Sequence, residues 1–211
     1  MRERDRRSFA EVSAQTFPGL LLAARGREEW AVGALWRDLH PRLLRYLRVL
    51  LPAVDVEDAV SDVWVEVAAG LDRFEGDWAA FRGWVFTIAR LRVIDARRRS
   101  RRRKTAARPP EAITELIDEV SPPADGPLRA DLEQALAWLR RLPSDQAEVL
   151  LLRVLGDLSC EQVAAVMGRR SGAVRALQHR AVARLREEMV REGVTPQPRH
   201  ALWRGDEPLS V

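Results

Sequence analysis

The sequence contains one cysteine, Cys160, one tyrosine, Tyr46, and three histidines, His40, His179 and His200, that stand far apart. A single thiol excludes an intrachain disulfide and an all-cysteine metal site, and it suits a reducing compartment; Cys160 reads as a small buried thiol. The histidines are scattered, and no second ligand stands at usable spacing from His179, so no metal is expected. Cys160 has no histidine nearby and no glycine-rich loop is present to cradle a phosphate, so neither a catalytic centre nor a cofactor is expected. Long apolar runs are missing as well. Leu20 to Ala24 is too short for a signal core or a membrane span, and the opening Met1-Arg-Glu-Arg-Asp-Arg-Arg7 is charged. The expectation is a soluble, cytoplasmic protein without membrane insertion.

What the sequence does have is arginine. Basic residues exceed acidic ones by only 35 to 31, yet the isoelectric point is near 10.3, because guanidinium is so hard to deprotonate. Such a chain suits an anionic partner, although Arg and Glu also solvate ordinary helices, so the placement of charge carries more than its sum.

From Trp30 the apolar positions Trp36, Leu39, Leu43, Leu47 and Leu50 recur at three- and four-residue steps, one stripe of a helix that Pro41 kinks and Pro52 ends. Asp55 stands as the N-cap of a second helix, with Glu57 and Asp58 in its first turn, the stripe Val60, Val63, Trp64, Val67 and Leu71, and an end near Gly70. A third stripe, Trp78, Phe81, Trp84, Val85, Ile88, Leu91 and Ile94, dissolves into Arg97-Arg-Arg-Ser-Arg-Arg-Arg-Lys104. These helices make a first domain over residues 29–104, behind an N-terminal tail over 1–28. Residues 105–127 set five prolines among Glu111, Glu115, Asp118, Glu119 and Asp125, an acidic proline-rich linker. Helical periodicity returns at Leu128, stops at Pro143 and restarts after Ser144, giving a second domain over 128–192 and a C-terminal tail over 193–211. Nowhere do apolar and polar residues alternate as a strand requires, so the fold class is all-α, two small helical domains on a flexible linker.

In Ser159-Cys-Glu-Gln-Val-Ala-Ala-Val-Met-Gly168, Ser159 and Gln162 form a capping box, Val163 and Val166 face inward, and Gly168 supplies a tight turn. Arg169 and Arg170 span that turn, and Ser171 caps a second helix, Gly172 to Arg186, with Val174, Leu177, Ala181 and Leu185 inward. This is the pattern of a DNA-reading helix-turn-helix, whose second helix enters the major groove. Its DNA-facing candidates are Arg170, Ser171, Arg175, Ala176, Gln178, His179 and Arg180. A plain helical hairpin with a polar face is the alternative, and the caps, the glycine turn and the outward arginines favour DNA.

The run Leu142-Pro-Ser-Asp-Gln-Ala-Glu-Val-Leu-Leu-Leu-Arg153, with Leu158-Ser-Cys-Glu-Gln-Val-Ala164 and Gly172-Ala-Val-Arg-Ala-Leu-Gln-His-Arg180, closely resembles region four of the extracytoplasmic-function (ECF) sigma factors. Leu35-Trp-Arg-Asp-Leu-His-Pro-Arg-Leu-Leu-Arg-Tyr-Leu47, Asp55-Val-Glu-Asp-Ala-Val-Ser-Asp-Val-Trp64 and Phe81-Arg-Gly-Trp-Val-Phe-Thr-Ile-Ala-Arg90 resemble region two, in the family's order. The resemblance implies a factor that binds core RNA polymerase and starts transcription at chosen promoters. Region two would grip the polymerase clamp helices and open the minus-ten element. Region four would read the minus-thirty-five element and touch the flap, and an anti-sigma factor would hide these surfaces. In this picture Asp55, Glu57, Asp58 and Asp62 present an acidic helical face to polymerase, although first-turn capping explains Asp55 and Glu57 equally well. Opening a duplex without ATP requires extracted bases to find new stacking partners, which Trp78, Phe81, Trp84 and Phe86 offer; Phe81 and Trp84 lie on the apolar stripe and read first as core. Minus-ten contact is assigned to Trp84, Arg90, Arg92, Arg97 and Arg98, the arginines holding phosphates. Leu91 stands where many relatives carry asparagine, and Ala176 where serine is frequent; both bear on which promoter is read. The linker is either a solvated tether or, as the resemblance implies, a mimic of nucleic acid. A one-component helix-turn-helix regulator is the rival reading, but it has no need of a separate aromatic and arginine-rich domain.

Overall fold

A computed structural model describes residues 12–106 and 127–194, so most of the linker and the C-terminal tail, with their expected roles, lie outside the described residues. The described residues form eight α-helices and no strand: α1 Phe17–Arg25, α2 Glu29–Leu50, α3 Val56–Gly70, α4 Trp78–Ala106, α5 Pro127–Arg141, α6 Ser144–Val154, α7 Cys160–Met167 and α8 Ser171–Arg191. Short 3-10 turns at Ala53–Asp55 and Leu71–Arg73 lead into α3 and out of it.

Helix α1 lies within the stretch expected as an N-terminal tail. Phe17, Leu20, Leu21 and Ala24 stand at the i, i+3, i+4, i+7 positions of α1 and are buried against the first domain. Phe17 lies among Phe74, Trp78 and Phe81, with ring centroids at 6.4, 5.3 and 5.2 Å. Four buried positions in nine residues make a short signal, and the exposed Leu22 blurs their stripe.

Around α1 the three expected helices close a core of Leu39, Leu43, Leu47, Val63, Phe81, Val85 and Phe86. Pro41 sits inside α2 without ending it, and Leu51 and Pro52 turn the chain extended. Asp55 occupies the N-cap position of α3 in helical rather than extended backbone and forms no side-chain cap there. The arginine run does not dissolve the third helix: α4, 29 residues long, continues through it to Ala106.

In the second domain α5 to α8 follow the expected order, with Leu150, Leu151, Leu152, Leu158, Val163, Val174 and Leu177 buried. The two domains are packed together. Helix α6 lies against α2, α5 also meets α2, and α7 meets α4, so that the buried apolar residues form one continuous cluster.

Candidate functional site

The first helix of the helix-turn-helix is capped as its sequence dictates, and the second is not. Ser159 Oγ accepts from the Gln162 backbone N–H at 3.2 Å while Gln162 Oε1 accepts from the Ser159 backbone N–H at 2.8 Å, which settles two orphan donors at the start of α7. Glu161 in that first turn is held below the usual carboxylate range by its backbone N–H and by Ser159, with Arg175 adding to the effect. Gly168 ends α7 at φ 63°, a left-handed conformation in which a Cβ is strained. Ser171 is the first residue of α8, not its cap; Arg170 holds the N-cap position in extended backbone, without a side-chain cap.

Along α8 the inward residues are Val174, Leu177 and Ala181, and Arg170, Arg175, Ala176, His179 and Arg180 are exposed. Arg175 pairs with Glu161 across the motif at 3.0 Å. Gln178 is only half exposed, because its Oε1 faces Cys160 Sγ at 3.5 Å; Cys160 itself is partly accessible rather than buried. Arg170, His179 and Arg180 make no ion pair with a described residue.

The expected minus-ten arginines are differently placed, each already engaged. Arg92 pairs with Glu66 of α3, Arg97 donates to the Leu50 carbonyl at 3.2 Å, and Arg98 lies 3.9 Å from Asp95. Arg90 pairs with Glu148 of α6 at 2.9 Å. Glu148 is 4% exposed and also accepts from the Tyr46 hydroxyl at 3.0 Å, so a carboxylate of the second domain is buried between two groups of the first. Burial, with Glu148 alongside, pushes the Tyr46 phenol well above its ordinary pKa. Around this cluster Arg82 pairs with Asp157 at 3.0 Å, and Arg140 donates to the Arg48 carbonyl at 3.3 Å.

Of the aromatic candidates, Trp78, Phe81 and Phe86 are core. Trp84 is only partly buried. It stacks on Phe74 at 5.2 Å and 27°, and its ring lies across Gly70, where a Cβ would stand 2.6 Å from the indole. Together these residues wall a cleft of about 570 Å³, with Glu66, Arg73 and Glu75 at its edge. Phe74, Arg73 and Gly70 were absent from the expected site; the 71–77 loop has no periodicity to mark it, and only the Gly70 terminus hints at a close approach.

On α3, Glu57, Asp58 and Asp62 are exposed and Asp55 is half-buried. Val65, 70% exposed, shares their outer face, and Val54, 83% exposed, lies just before it. Trp36 stacks on His40 at 4.2 Å, and Trp64 Nε1 donates to His40 Nδ1 at 3.2 Å, which requires neutral imidazole; burial lowers the His40 pKa. No group of residues able to hold a metal, and no helix long and apolar enough to cross a membrane, occurs among the described residues.

The Sigma-70 region 2 family matches residues 35–103 and the Sigma-70 region 4 family matches 132–185. The chain is 35% identical over 163 residues to the ECF RNA polymerase sigma factor ShbA of Streptomyces griseus, covering 72% of this chain and 84% of that protein. It is 32% identical over 169 residues to the ECF RNA polymerase sigma factor SigD of Mycobacterium tuberculosis, covering 77% and 79%. Among solved structures it resembles the sigma factor RpoE of Bartonella quintana, crystallised with the anti-sigma factor NepR, at a TM-score of 0.60 and 25% identity, over 74% of this chain and 94% of that one. CnrH, solved with the cytosolic domain of CnrY, shares the fold at a TM-score of 0.56 and 23% identity, over 82% and 96%.

Proposed function

The chain belongs to the ECF sigma factors, a family acting in transcription initiation, and we propose that it divides promoter recognition between its two domains. Helix α8 enters the major groove of the minus-thirty-five element. Arg175 and Arg180 read base edges or hold phosphates, and Arg170 at the helix entry takes the backbone. The arginines of α4 hold the minus-ten strand, and the Phe74–Trp84 wall takes an extruded base by stacking. The mixed acidic and apolar face of α3, Glu57, Asp58, Asp62 and Val65, meets a basic surface of core polymerase. An anti-sigma partner, of the kind crystallised with the Bartonella relative, keeps the factor from polymerase in the cytoplasm until it is needed.

The observation that carries this reading is the presence, on one chain, of an exposed helix-turn-helix second helix and an arginine-rich helix headed by an aromatic cleft. A one-component repressor needs only the first. The test is run-off transcription with purified chain, core polymerase and a genomic promoter library, with core alone as control. Transcripts sharing paired upstream elements that core alone ignores are expected. DNA binding without core binding or any change in initiation would hand the protein to the repressor reading. Asp58→Lys with Asp62→Lys is expected to lose core binding while keeping affinity for minus-thirty-five duplex.

A further inference from the structure

The 71–77 loop forms one side of the Trp84 cleft, and its backbone is held from a distance. Arg25, the last residue of α1, donates from Nε to the Leu71 carbonyl at 3.2 Å and from Nη2 to the Phe74 carbonyl. Those two carbonyls bracket the turn on which Phe74 and Arg73 are carried. The guanidinium is half-buried, and its rigid fork reaches two acceptors at once, which fixes their separation as well as their direction. Phe17, one end of the same helix, packs edge-on against the Phe74 ring, so α1 touches the loop through a side chain and through the backbone. Asp77 finishes the loop by accepting from the Ala80 N–H at 2.8 Å at the start of α4. Phe74 is thereby held through both its backbone and its ring, stacked on Trp84 as one wall of the cleft.

We propose that Arg25 is a positioning residue for minus-ten recognition: it touches no DNA and sets the loop so that the Phe74–Trp84 wall is formed before the base arrives. Helix α1 precedes the stretch that matches the family, residues 35–103, so the proposal adds a part to the site from outside it. It rests on the reading of the cleft as a base-stacking site. Preorganisation of this kind acts by removing the ordering cost of the loop from the binding step.

The experiment uses the full chain bound to core polymerase and the non-template strand of a promoter recovered by the run-off selection. Affinity is measured for the intact strand and for versions with each minus-ten base in turn made abasic. For the wild-type complex one position should show a preference for the intact strand of about tenfold, the contribution of one stacked base. Arg25→Gln, which retains a polar helix-forming side chain but lacks the fork, is expected to bring that ratio close to one, with affinity for core and for minus-thirty-five duplex unchanged. Arg25→Lys, which restores charge and stem, is expected to recover part of the ratio. Trp84→Ala serves as the control for the premise. If Trp84→Ala loses the preference and Arg25→Gln keeps it, the positioning role is overturned and the cleft reading stands. If Trp84→Ala keeps it, the cleft reading fails and takes the proposal with it. If Arg25→Gln weakens intact and abasic strands alike, Arg25 merely supports the fold and the proposal is wrong; Arg25→Lys decides the same question should the glutamine variant not fold.

Discussion

The two helices that the proposed function assigns to DNA are prepared to different degrees. On α8, Arg170, His179 and Arg180 stand exposed without an ionic partner among the described residues, and Arg175 has only an exposed pair with Glu161 that a phosphate or guanine displaces at little cost. On α4 Arg92 and Arg97 already have acceptors, Arg98 has only a long exposed pair with Asp95, and Arg90 shares the buried Glu148 carboxylate with Tyr46 across the contact between domains. In the proposed reading, α8 meets DNA without breaking a buried contact. On α4, contact with DNA through Arg90, Arg92 or Arg97 competes with contacts that join one element of the fold to another, so in the proposed reading one basic composition serves recognition in one place and cohesion in the other.

The comparison breaks most visibly at Glu148. Glu148→Ala leaves Arg90 without its ion-pair partner and the Tyr46 hydroxyl without its acceptor, and the expected loss is about 3 kcal/mol, at the low end for a broken buried pair because Arg90 retains some contact with water. Urea unfolding measures it. A loss within the range of surface changes, about 0.5 kcal/mol, would show that the domains do not stay closed over this cluster.

The same cluster has an alkaline signature. The folded phenol keeps its proton where the unfolded chain gives it up near pH ~10, so Tyr46's contribution is complete below that pH and is lost as pH rises beyond it. Tyr46 is the only tyrosine, so phenolate absorbance reports this opening alone. Tyr46→Phe should remove the slope.

The exposed helix gives a smaller effect of another kind. Arg180→Ala should weaken minus-thirty-five duplex binding about tenfold in a fluorescence anisotropy titration, with no change in unfolding. The corresponding change on α4, Arg92→Ala, should alter both binding and stability, because Arg92 also serves Glu66. Smallest is Ser159→Ala, expected to cost about 1 kcal/mol of thermal stability by opening the capping box under α8.

Much of this was legible in the sequence. The capping box, the Gly168 turn and the stripe of α8 are local patterns, and local rules place them. Helix α2 follows its three-and-four spacing despite Pro41. What escaped is non-local. Glu148 reads as a solvated helix residue until Tyr46 and Arg90 arrive from 102 and 58 positions away. Trp84 falls on the same apolar stripe as Phe81, and only Gly70 and Phe74, brought in from the end of α3 and its loop, turn it from core into a wall. Arg25 belonged to a stretch read as tail, because nine residues give periodicity little room.

Helix α4 runs unbroken from beside the cleft into the arginine run. Trp84, the exposed Leu91 and Arg98 recur at steps of about two turns and share nearly one face, so Trp84 and Arg98 stand roughly 21 Å apart. That length equals about six base steps of a B-form strand. A continuous helix of this kind acts as a ruler. In the proposed reading, a base seated against Trp84 sets which phosphates come within reach of Arg98, whatever the sequence between them.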